Sequence, residues 1–259
     1  MYQLQMYQAG DTIEVIKLHP TFYEKNRMRA KKEKPSPENI KKQNEKLAKD
    51  KLRRLVNENF YCNDLHIILT YKKENRPDPI TATKHLKKVF SKMRIEHRKI
   101  GQELQYVAVT GYGDKDVNDS ENIEGAEQHS ESAMHHHIIT NYIDVRLWTE
   151  VWKEYGRAWF FPLDDRGNYG ELTNYFIGHT QNKFRANDTP YHKRYSRSRN
   201  LKEPPPPKKK KVQCDSWMKE PKPLKGYFID RDSIENGVSE VTGYPYQFYR
   251  MIKIQRRRR

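Results

Sequence analysis

The chain alternates short runs of β-forming residues with longer stretches of helical periodicity, which is typical of a mixed fold. Residues 2–18 alternate loosely between apolar and polar side chains around Gly10 and Asp11, and they predict a small hairpin. Four further runs are short and rich in β-branched or aromatic residues, so we expect strands at residues 64–71, 105–112, 134–140 and 158–163.

Apolar side chains spaced three to four residues apart predict helices between these strands. Ser36 can cap the first helix, and Pro37 is tolerated at a first helical position. A second helix is expected from about Thr83, a third after the capping residue Asp144, and a fourth over Glu171–Lys183. Strands interleaved with helices in this way predict an α+β sheet with helices on one face.

Changes in composition along the chain predict four segments. Pro204–Pro207 followed by Lys208–Lys211 favours a stiff, extended linker, because proline stabilises the polyproline conformation. Residues 114–133 contain seven Asp and Glu against one Lys and almost no apolar side chains, which predicts an exposed loop. The expected division is a hairpin and linker (1–34), a main domain (35–201), the Pro/Lys linker (202–211), and a C-terminal segment that packs on the body and ends in a basic tail (212–259).

The charge of the chain favours a polyanionic partner. Lys and Arg number 50 against 34 Asp and Glu, so the formal net charge is +16. Such a field attracts nucleic acid or an anionic membrane, but no run approaches the ~20 apolar residues that span a bilayer. Nucleic acid is therefore the expected partner, without a membrane. Cys62 and Cys214 are too few for a disulfide framework, which fits a reducing cytoplasm.

The run His135-His136-His137 is the sharpest chemical signal in the sequence. Residues i and i+2 of a strand point to the same face, so His135 and His137 project together while His136 points the other way with Ile138. Two imidazoles on one face can ligate one cation. The alternative interpretation is three ordinary histidines next to a loop.

Tyr175 lies on the predicted fourth helix, beside an apolar stripe. Tyr175, His179 and Lys183 are spaced i, i+4, i+8 and form one line along that helix. A tyrosine hydroxyl there can attack a phosphodiester, with Lys183 or His179 lowering the cost of the developing phenolate. The alternative is a half-buried core tyrosine, since the chain has 17 tyrosines.

The two signals together indicate phosphodiester chemistry. A phenol is a poor nucleophile at neutral pH, because its ordinary pKa is about 10. A metal ion held by two histidines can polarise the phosphate and stabilise the transition state. The tyrosine then forms a covalent bond to the 5′ phosphate and releases a 3′ hydroxyl, which conserves the bond energy for rejoining.

In this order the motifs resemble the HUH (His-hydrophobic-His) replication initiators of rolling-circle plasmids and single-stranded-DNA phages, especially those of Gram-positive bacteria. The resemblance spans about residues 35–255 and rests on residues 51–60, 64–71, 106–113, 135–139, 172–177 and 194–201. It implies a central antiparallel sheet of about five strands with helices on one face. It also implies His135 and His137 as ligands of Mg²⁺ or Mn²⁺, and Tyr175 as a single nucleophile on the helix facing them.

Two positions depart from the pattern of that group. Such enzymes often carry a carboxylate as third metal ligand where Gly111 stands, and His66, Gln105 or water can replace it. They also often carry a lysine three residues after the tyrosine, where this chain has Gly178. Lys183 lies on the same helical line, but two turns away from Tyr175.

A basic segment, Lys193–Lys211, has two aromatic residues beside or among its positive charges, Tyr191 and Tyr195. Phosphate neutralisation combined with base stacking is how single strands are held without much sequence reading. The alternative is a solubilising tail. The expected DNA-binding residues are Lys72, Lys193, Arg194, Tyr195, Arg197 and Arg199.

The sequence thus predicts a metal-dependent endonuclease and strand transferase that acts on single-stranded or hairpin DNA at a replication origin in a bacterial cytoplasm. No Gly-x-x-x-x-Gly-Lys-Ser/Thr loop is present, so a host helicase and polymerase are expected partners. A non-catalytic single-stranded-DNA-binding protein of the same fold is the main alternative. A ribosomal or RNA-binding protein would explain the charge but not the paired histidines.

Overall fold

The computed structural model describes residues 1–19, 36–111, 134–185, 194–239 and 243–255, without the side chains of residues 179–185. The predicted acidic loop at 114–133, Lys193 and the arginine tail at 256–259 therefore lie outside the described residues. In chain order the elements are β1 (Tyr2–Ala9), β2 (Thr12–Leu18), α1 (Pro37–Asn59), β3 (Leu65–Tyr71), a 3-10 turn (Lys73–Asn75), α2 (Pro79–Lys99), β4 (Tyr106–Gly111), β5 (His135–Thr140), α3 (Val145–Trp152), β6 (Gly156–Pro162), α4 (Gly170–Arg185), β7 (Ser196–Arg197), β8 (Lys208–Val212), β9 (Tyr227–Val238) and β10 (Pro245–Lys253).

The chain forms two compact units that each contain a five-stranded sheet. The first comprises Met1–Asn59, Arg166–Gly170 and Lys202–Arg259, and the second comprises Phe60–Asp165 and Glu171–Leu201. Helix α1 falls in the first unit, whereas the composition-based boundary at residues 34/35 groups it with the main domain. None of the helices in the described residues has the length and apolar character needed to cross a membrane.

The sheet of the first unit has the order β8-β1-β2-β10-β9, and its paired strands are antiparallel. The prediction of a polyproline linker over residues 202–211 is wrong in its second half, because Lys208–Val212 pairs with β1 as an edge strand. Prolines remain outside the strand, since they lack the N–H that a ladder requires. The C-terminal strands β9 and β10 extend the predicted N-terminal hairpin.

The sheet of the second unit has the order β6-β3-β5-β4-β7 and is antiparallel throughout. This confirms the α+β class and the central antiparallel sheet of about five strands. Helices α2 and α3 pack on one face around a core that includes Ile67, Ile138, Phe90 and Trp148. Helix α4 contacts the other face, where Phe176 lies against the rings of His66 and His137. Helices thus occur on both faces, which differs from the predicted arrangement.

Capping residues explain where the helices begin. Ser36 Oγ accepts a hydrogen bond from the Asn39 N–H (3.1 Å), and Asp144 accepts one from the Arg146 N–H (2.9 Å), as the sequence predicts. Helix α2 begins at Pro79 rather than near Thr83. Asp78 caps it by accepting hydrogen bonds from two backbone N–H groups, and proline fits the first helical turn.

A buried carboxylate joins α1 to the sheet of the first unit. Glu14 on β2 is 1% exposed and accepts hydrogen bonds from Arg53 Nε (2.5 Å) and Arg54 Nε (2.7 Å). Burial alone would raise the pKa of the Glu14 carboxyl, but the charges and hydrogen bonds of Arg53 and Arg54 outweigh it and hold that pKa below its ordinary value. The carboxylate is therefore ionised in the folded protein.

We expect Glu14→Gln to destabilise the first unit by about 2–3 kcal/mol, because it removes the fully buried charge partner of Arg53 and leaves only Asp50 to compensate that guanidinium. A carboxyl whose folded pKa is depressed contributes stability that is present above its unfolded pKa and lost as the pH falls through the folded value. The difference in unfolding free energy between Glu14→Gln and the wild type should therefore be largest above about pH 5 and become smaller in more acidic buffer.

Urea unfolding followed by circular dichroism at several pH values measures this difference. The matched control is Glu38→Gln, which removes the exposed partner of Lys42 and should change the unfolding free energy by less than about 0.5 kcal/mol. Equal effects of the two variants would contradict the role assigned to Glu14.

Candidate functional site

Strand β5 places three consecutive histidines on alternating faces of the second sheet. His135 and His137 lie on the face that α4 contacts. His136 lies on the opposite face, fully buried, with Nδ1 2.9 Å from Thr110 Oγ1 and Nε2 3.0 Å from the Tyr71 hydroxyl. The predicted alternation is confirmed, and His136 is held through both ring nitrogens.

Three imidazoles come together on the face that α4 contacts. His66 on β3 lies with Nε2 3.2 Å from Nδ1 of His137, and the two rings are nearly parallel at 27°. The centroids of the His135 and His137 rings are 4.8 Å apart at 88°. His137 is 1% exposed and His66 8%, whereas His135 is half-buried, so solvent reaches this cluster mainly at His135.

The register of β4 decides whether His66 or Gln105 could serve as the third metal ligand in place of a carboxylate at position 111. Gln105 precedes Tyr106, which pairs with Thr140 at the far end of β5 from His135. His66 instead contacts His137 directly. Of these two side chains, only His66 lies within reach of the paired histidines.

Gly111 has a structural reason to lack a side chain. It pairs with His135 across the β4–β5 ladder, and a Cβ built there would lie 2.4 Å from His135 Nε2. Because real Cβ atoms do not come so close to another heavy atom, glycine gives the His135 ring room to lie over the strand. The glycine that stands where related enzymes often carry a carboxylate therefore makes room for the His135 imidazole.

The imidazoles fit a metal ion in part. Two nitrogens bound to one metal at about 2.1 Å lie about 3.0–3.4 Å apart, which matches the separation of His66 Nε2 and His137 Nδ1. Among the described residues, however, no group of three or more His, Cys, Asp or Glu is arranged to hold a metal ion. His135, whose ring stands nearly perpendicular to that of His137, would have to turn to complete such a set.

Helix α4 brings a phenol to the same cluster. The centroids of the Tyr175 and His137 rings are 5.0 Å apart at 80°, an edge-to-face contact. Phe176 is fully buried, and its ring centroid lies 5.6 Å from that of His137 and 5.5 Å from that of His66. The backbones of His179 and Lys183 belong to α4, but their side chains lie outside the described residues.

Gly178 is exposed one turn beyond Tyr175. A Cβ built there would meet nothing within 4 Å. A longer side chain at this position would therefore find space next to Tyr175, so packing does not explain why glycine stands here.

Positive side chains flank the imidazoles on the same face of the sheet. Arg197 on β7 pairs with Val107, and Arg157 on β6 pairs with Thr70, so both side chains lie on the face that carries His135 and His137.

The predicted DNA-binding residues differ in exposure. The exposed ones are Lys72, Arg197 and Arg199, and the half-buried ones are Arg194 and Tyr195. The predicted DNA-binding residues other than Lys193 thus lie in the second unit, and one of them, Arg197, lies on the sheet face that carries the histidine cluster.

Sequence reasoning missed Arg157. The predicted strand begins at Ala158, whereas β6 begins at Gly156, which has a close backbone neighbour in Thr70. The alternation of Arg157, Trp159 and Phe161 was the available signal, because an arginine in phase with two aromatic residues indicates one shared face.

Comparisons of the chain with protein-family models, with curated proteins and with solved structures found no match.

We expect Gly111→Ala to displace the His135 imidazole while changing the unfolding free energy by less than about 1 kcal/mol. The clash is with the far end of a side chain that can turn, and alanine costs less backbone entropy than glycine. Nitrogen-15 spectra of the histidine rings measure the displacement as a shift of the His135 resonances.

The matched control is Gly178→Ala, which adds the same methyl group to open space on α4 and should leave the His135 resonances in place. If Gly111→Ala also leaves them unchanged, Gly111 does not set the position of the ring.

Proposed function

We propose that this chain is an HUH-type endonuclease that nicks and rejoins single-stranded or hairpin DNA through Tyr175, starting rolling-circle replication. The observation that carries the proposal is the edge-to-face contact between the phenol ring of Tyr175 on α4 and the imidazole ring of His137 on β5, whose centroids are 5.0 Å apart. A nucleophile and candidate metal ligands from distant parts of the sequence therefore meet on one face of a sheet.

In the proposed reaction Tyr175 is the nucleophile. Its hydroxyl loses a proton to water, and its oxygen bonds to the phosphorus of the scissile phosphate. The bond from that phosphorus to the 3′ oxygen breaks, and this oxygen takes a proton from water to leave as a 3′ hydroxyl. Because one phosphodiester replaces another, the same steps in reverse rejoin the strand without ATP.

The surrounding side chains support this chemistry. His66, His135 and His137 would hold Mg²⁺ or Mn²⁺, which would polarise the phosphate oxygens and favour attack. Arg157 and Arg197, on the same face of the sheet, can neutralise neighbouring phosphates. Phe176 packs between α4 and the imidazoles and holds the phenol at the cluster.

A non-catalytic single-stranded-DNA-binding protein is the second candidate. Gly178 stands where a lysine is expected one turn after the tyrosine, and no three-ligand group is arranged for a metal in the described part of the chain. This candidate predicts salt-sensitive binding to single strands without a covalent adduct. Either function suits the bacterial cytoplasm, and the nickase would need a host helicase and polymerase.

We expect Tyr175→Phe to abolish a covalent protein–DNA adduct, because phenylalanine keeps the ring but removes the attacking oxygen. The measurement uses single-stranded hairpins with randomised loops and Mn²⁺, followed by denaturing electrophoresis and sequencing of the linked DNA. Loss of the nucleophile should reduce the adduct yield by at least about 10³-fold.

The matched control is Tyr142→Phe, which removes a hydroxyl from a tyrosine that is 56% exposed in the same unit and should preserve the yield. An equal yield from wild type and Tyr175→Phe would refute Tyr175 as nucleophile, and no adduct from either would favour the non-catalytic binder.

We expect His66→Ala to weaken Mn²⁺ binding by about tenfold or more, comparable to His137→Ala, because their facing nitrogens are separated like two ligands of one ion. Isothermal titration measures the affinity. The control is His85→Ala on α2, a half-buried histidine that stacks on Tyr155 and belongs to the opposite face. Unchanged affinity in His66→Ala would exclude it as the third ligand.

A further inference from the structure

Helix α2 of the second unit has one apolar side and one strongly basic side. The apolar side is buried in the core of the unit and includes Ala82, Leu86, Val89, Phe90 and Met93. At 100° per residue, four exposed lysines fall on the opposite side of the helix. These are Lys84, Lys87, Lys88 and Lys92, which together form the α2 lysine face.

The α2 lysine face is not paired with carboxylates. Within the described part of the second unit, no Asp or Glu forms an ion pair with any of its four lysines. Four carboxylates on or around α2 have other partners: Glu96 binds Lys99, Asp78 caps the helix, Asp144 binds Arg146, and Glu150 binds Lys153. Glu74 and Glu154 are exposed in the turns before α2 and after α3, but four lysines outnumber them.

Helix α1 also carries exposed lysines, but it combines them with carboxylates. There Lys42 binds Glu38 and Lys49 binds Glu45, each one helical turn apart. Such pairs stabilise a helix, whereas like charges at the same spacing destabilise it. Lys84, Lys88 and Lys92 follow one another at exactly that spacing, so their repulsion opposes the formation of α2.

The helix dipole does not explain these lysines either. Cations stabilise a helix only near its last turn, and in α2 that position is taken by His97, Arg98 and Lys99. The four lysines lie before it. Because they weaken the helix without a structural return, we look for an anionic partner that they bind.

The surroundings of the lysines disfavour a membrane and a single strand as that partner. A helix that lies on a membrane inserts its apolar side, and the apolar side of α2 is already buried in the core. Single strands are held by aromatic rings that stack with bases. Helix α2 contains one Phe, Tyr or Trp, and this residue, Phe90, is buried against the ring of Tyr106.

A duplex fits the density of charge on this face. Lys84 and Lys92 are eight residues apart, which is about 12 Å along the helix. A DNA duplex carries one negative charge per about 1.7 Å of its axis, twice the density of one of its strands, so about seven charges lie along the same distance. Several lysines can therefore contact phosphates at the same time.

We propose that the α2 lysine face binds the phosphate backbone of duplex DNA without reading its sequence. This face lies on the side of the sheet opposite the histidine cluster, so a duplex there leaves the cluster accessible to a single strand. The choice of DNA over RNA rests on the proposed function, whereas the binding of a duplex does not.

The test compares Lys88→Gln/Lys92→Gln with the control Lys41→Gln/Lys51→Gln in the full-length chain. The control removes the same charge from two exposed lysines of α1. Binding to a fluorescent 30-base-pair DNA duplex is measured by anisotropy from about 50 to 200 mM salt, with EDTA present so that metal-dependent cleavage cannot occur. A DNA single strand, an RNA duplex and polyglutamate are the other probes, and melting curves report folding.

We expect the Lys88/Lys92 variant to lose about tenfold in duplex affinity and about 2 in the slope of log affinity against log salt. Its melting temperature should stay the same or rise, because glutamine is as good a helix former as lysine and removes the repulsion. The control should keep the wild-type slope. If the double variant does not fold, Lys92→Gln alone should show about half the change in slope.

Three results would overturn the proposal. Equal losses in the variant and the control would indicate net charge alone. A greater loss for the single strand, the RNA duplex or polyglutamate would identify another occupant. Unchanged duplex affinity in the Lys88/Lys92 variant would show that the lysines only face solvent.

The same variant separates this proposal from the nicking reaction. The Lys88/Lys92 variant should keep the wild-type yield of covalent adduct on single-stranded hairpins in Mn²⁺, and a yield reduced in step with duplex affinity would contradict a separate surface. If the wild type forms no adduct but the duplex result is as expected, the nuclease is refuted and the duplex-binding face is supported.

Discussion

The register of β5 between β3 and β4 is the constraint on which the candidate site depends. Each β5 residue is paired on both sides, His137 with Ile68 and Val109, so the strand cannot shift without breaking two ladders. A shift by one residue would move His136 to the α4 face and bury His135 and His137 in the core. Ile138, fully buried in the core, and the two ring contacts of His136 oppose such a shift on the other face.

This register also explains the chemistry that the face can support. Imidazoles that are almost fully buried need polar partners, because an unpaired polar group in a low-dielectric interior is costly. His66 and His137 meet that need by contacting each other, and Phe176 seals them from the helix side. A metal ion held there would replace the contact between the two nitrogens with bonds to both, and the hydrogen between them would have to move to another ring nitrogen. The tautomers of the two rings would therefore change together with metal binding.

Periodicity predicted the individual helices and strands well. It failed where the structure depends on pairing or contact between distant parts of the chain. The alternation of His135 and His137, the capping role of Asp144 and the helix that carries Tyr175 all follow from spacings within one element. The pairing of Lys208–Val212 with β1 joins segments about 200 residues apart, and its lysines resemble those of a flexible linker. The contact of His66 with His137 likewise required the register of two strands, which no single run of residues encodes.

The positive charges of the chain divide into two physical classes, and this division links stability to binding. Arg53 and Arg54 are largely buried and paired with Glu14, and Arg53 also pairs with Asp50. These two arginines therefore act mainly on the packing of α1 against the sheet of the first unit. Cations on the surface, such as Arg157 and Arg199, contribute to the field outside the molecule. The net charge of +16 therefore does not by itself say which faces of the molecule are positive. Since buried pairs respond little to salt and exposed cations respond strongly, raising the ionic strength should weaken the proposed DNA binding well before it affects the fold.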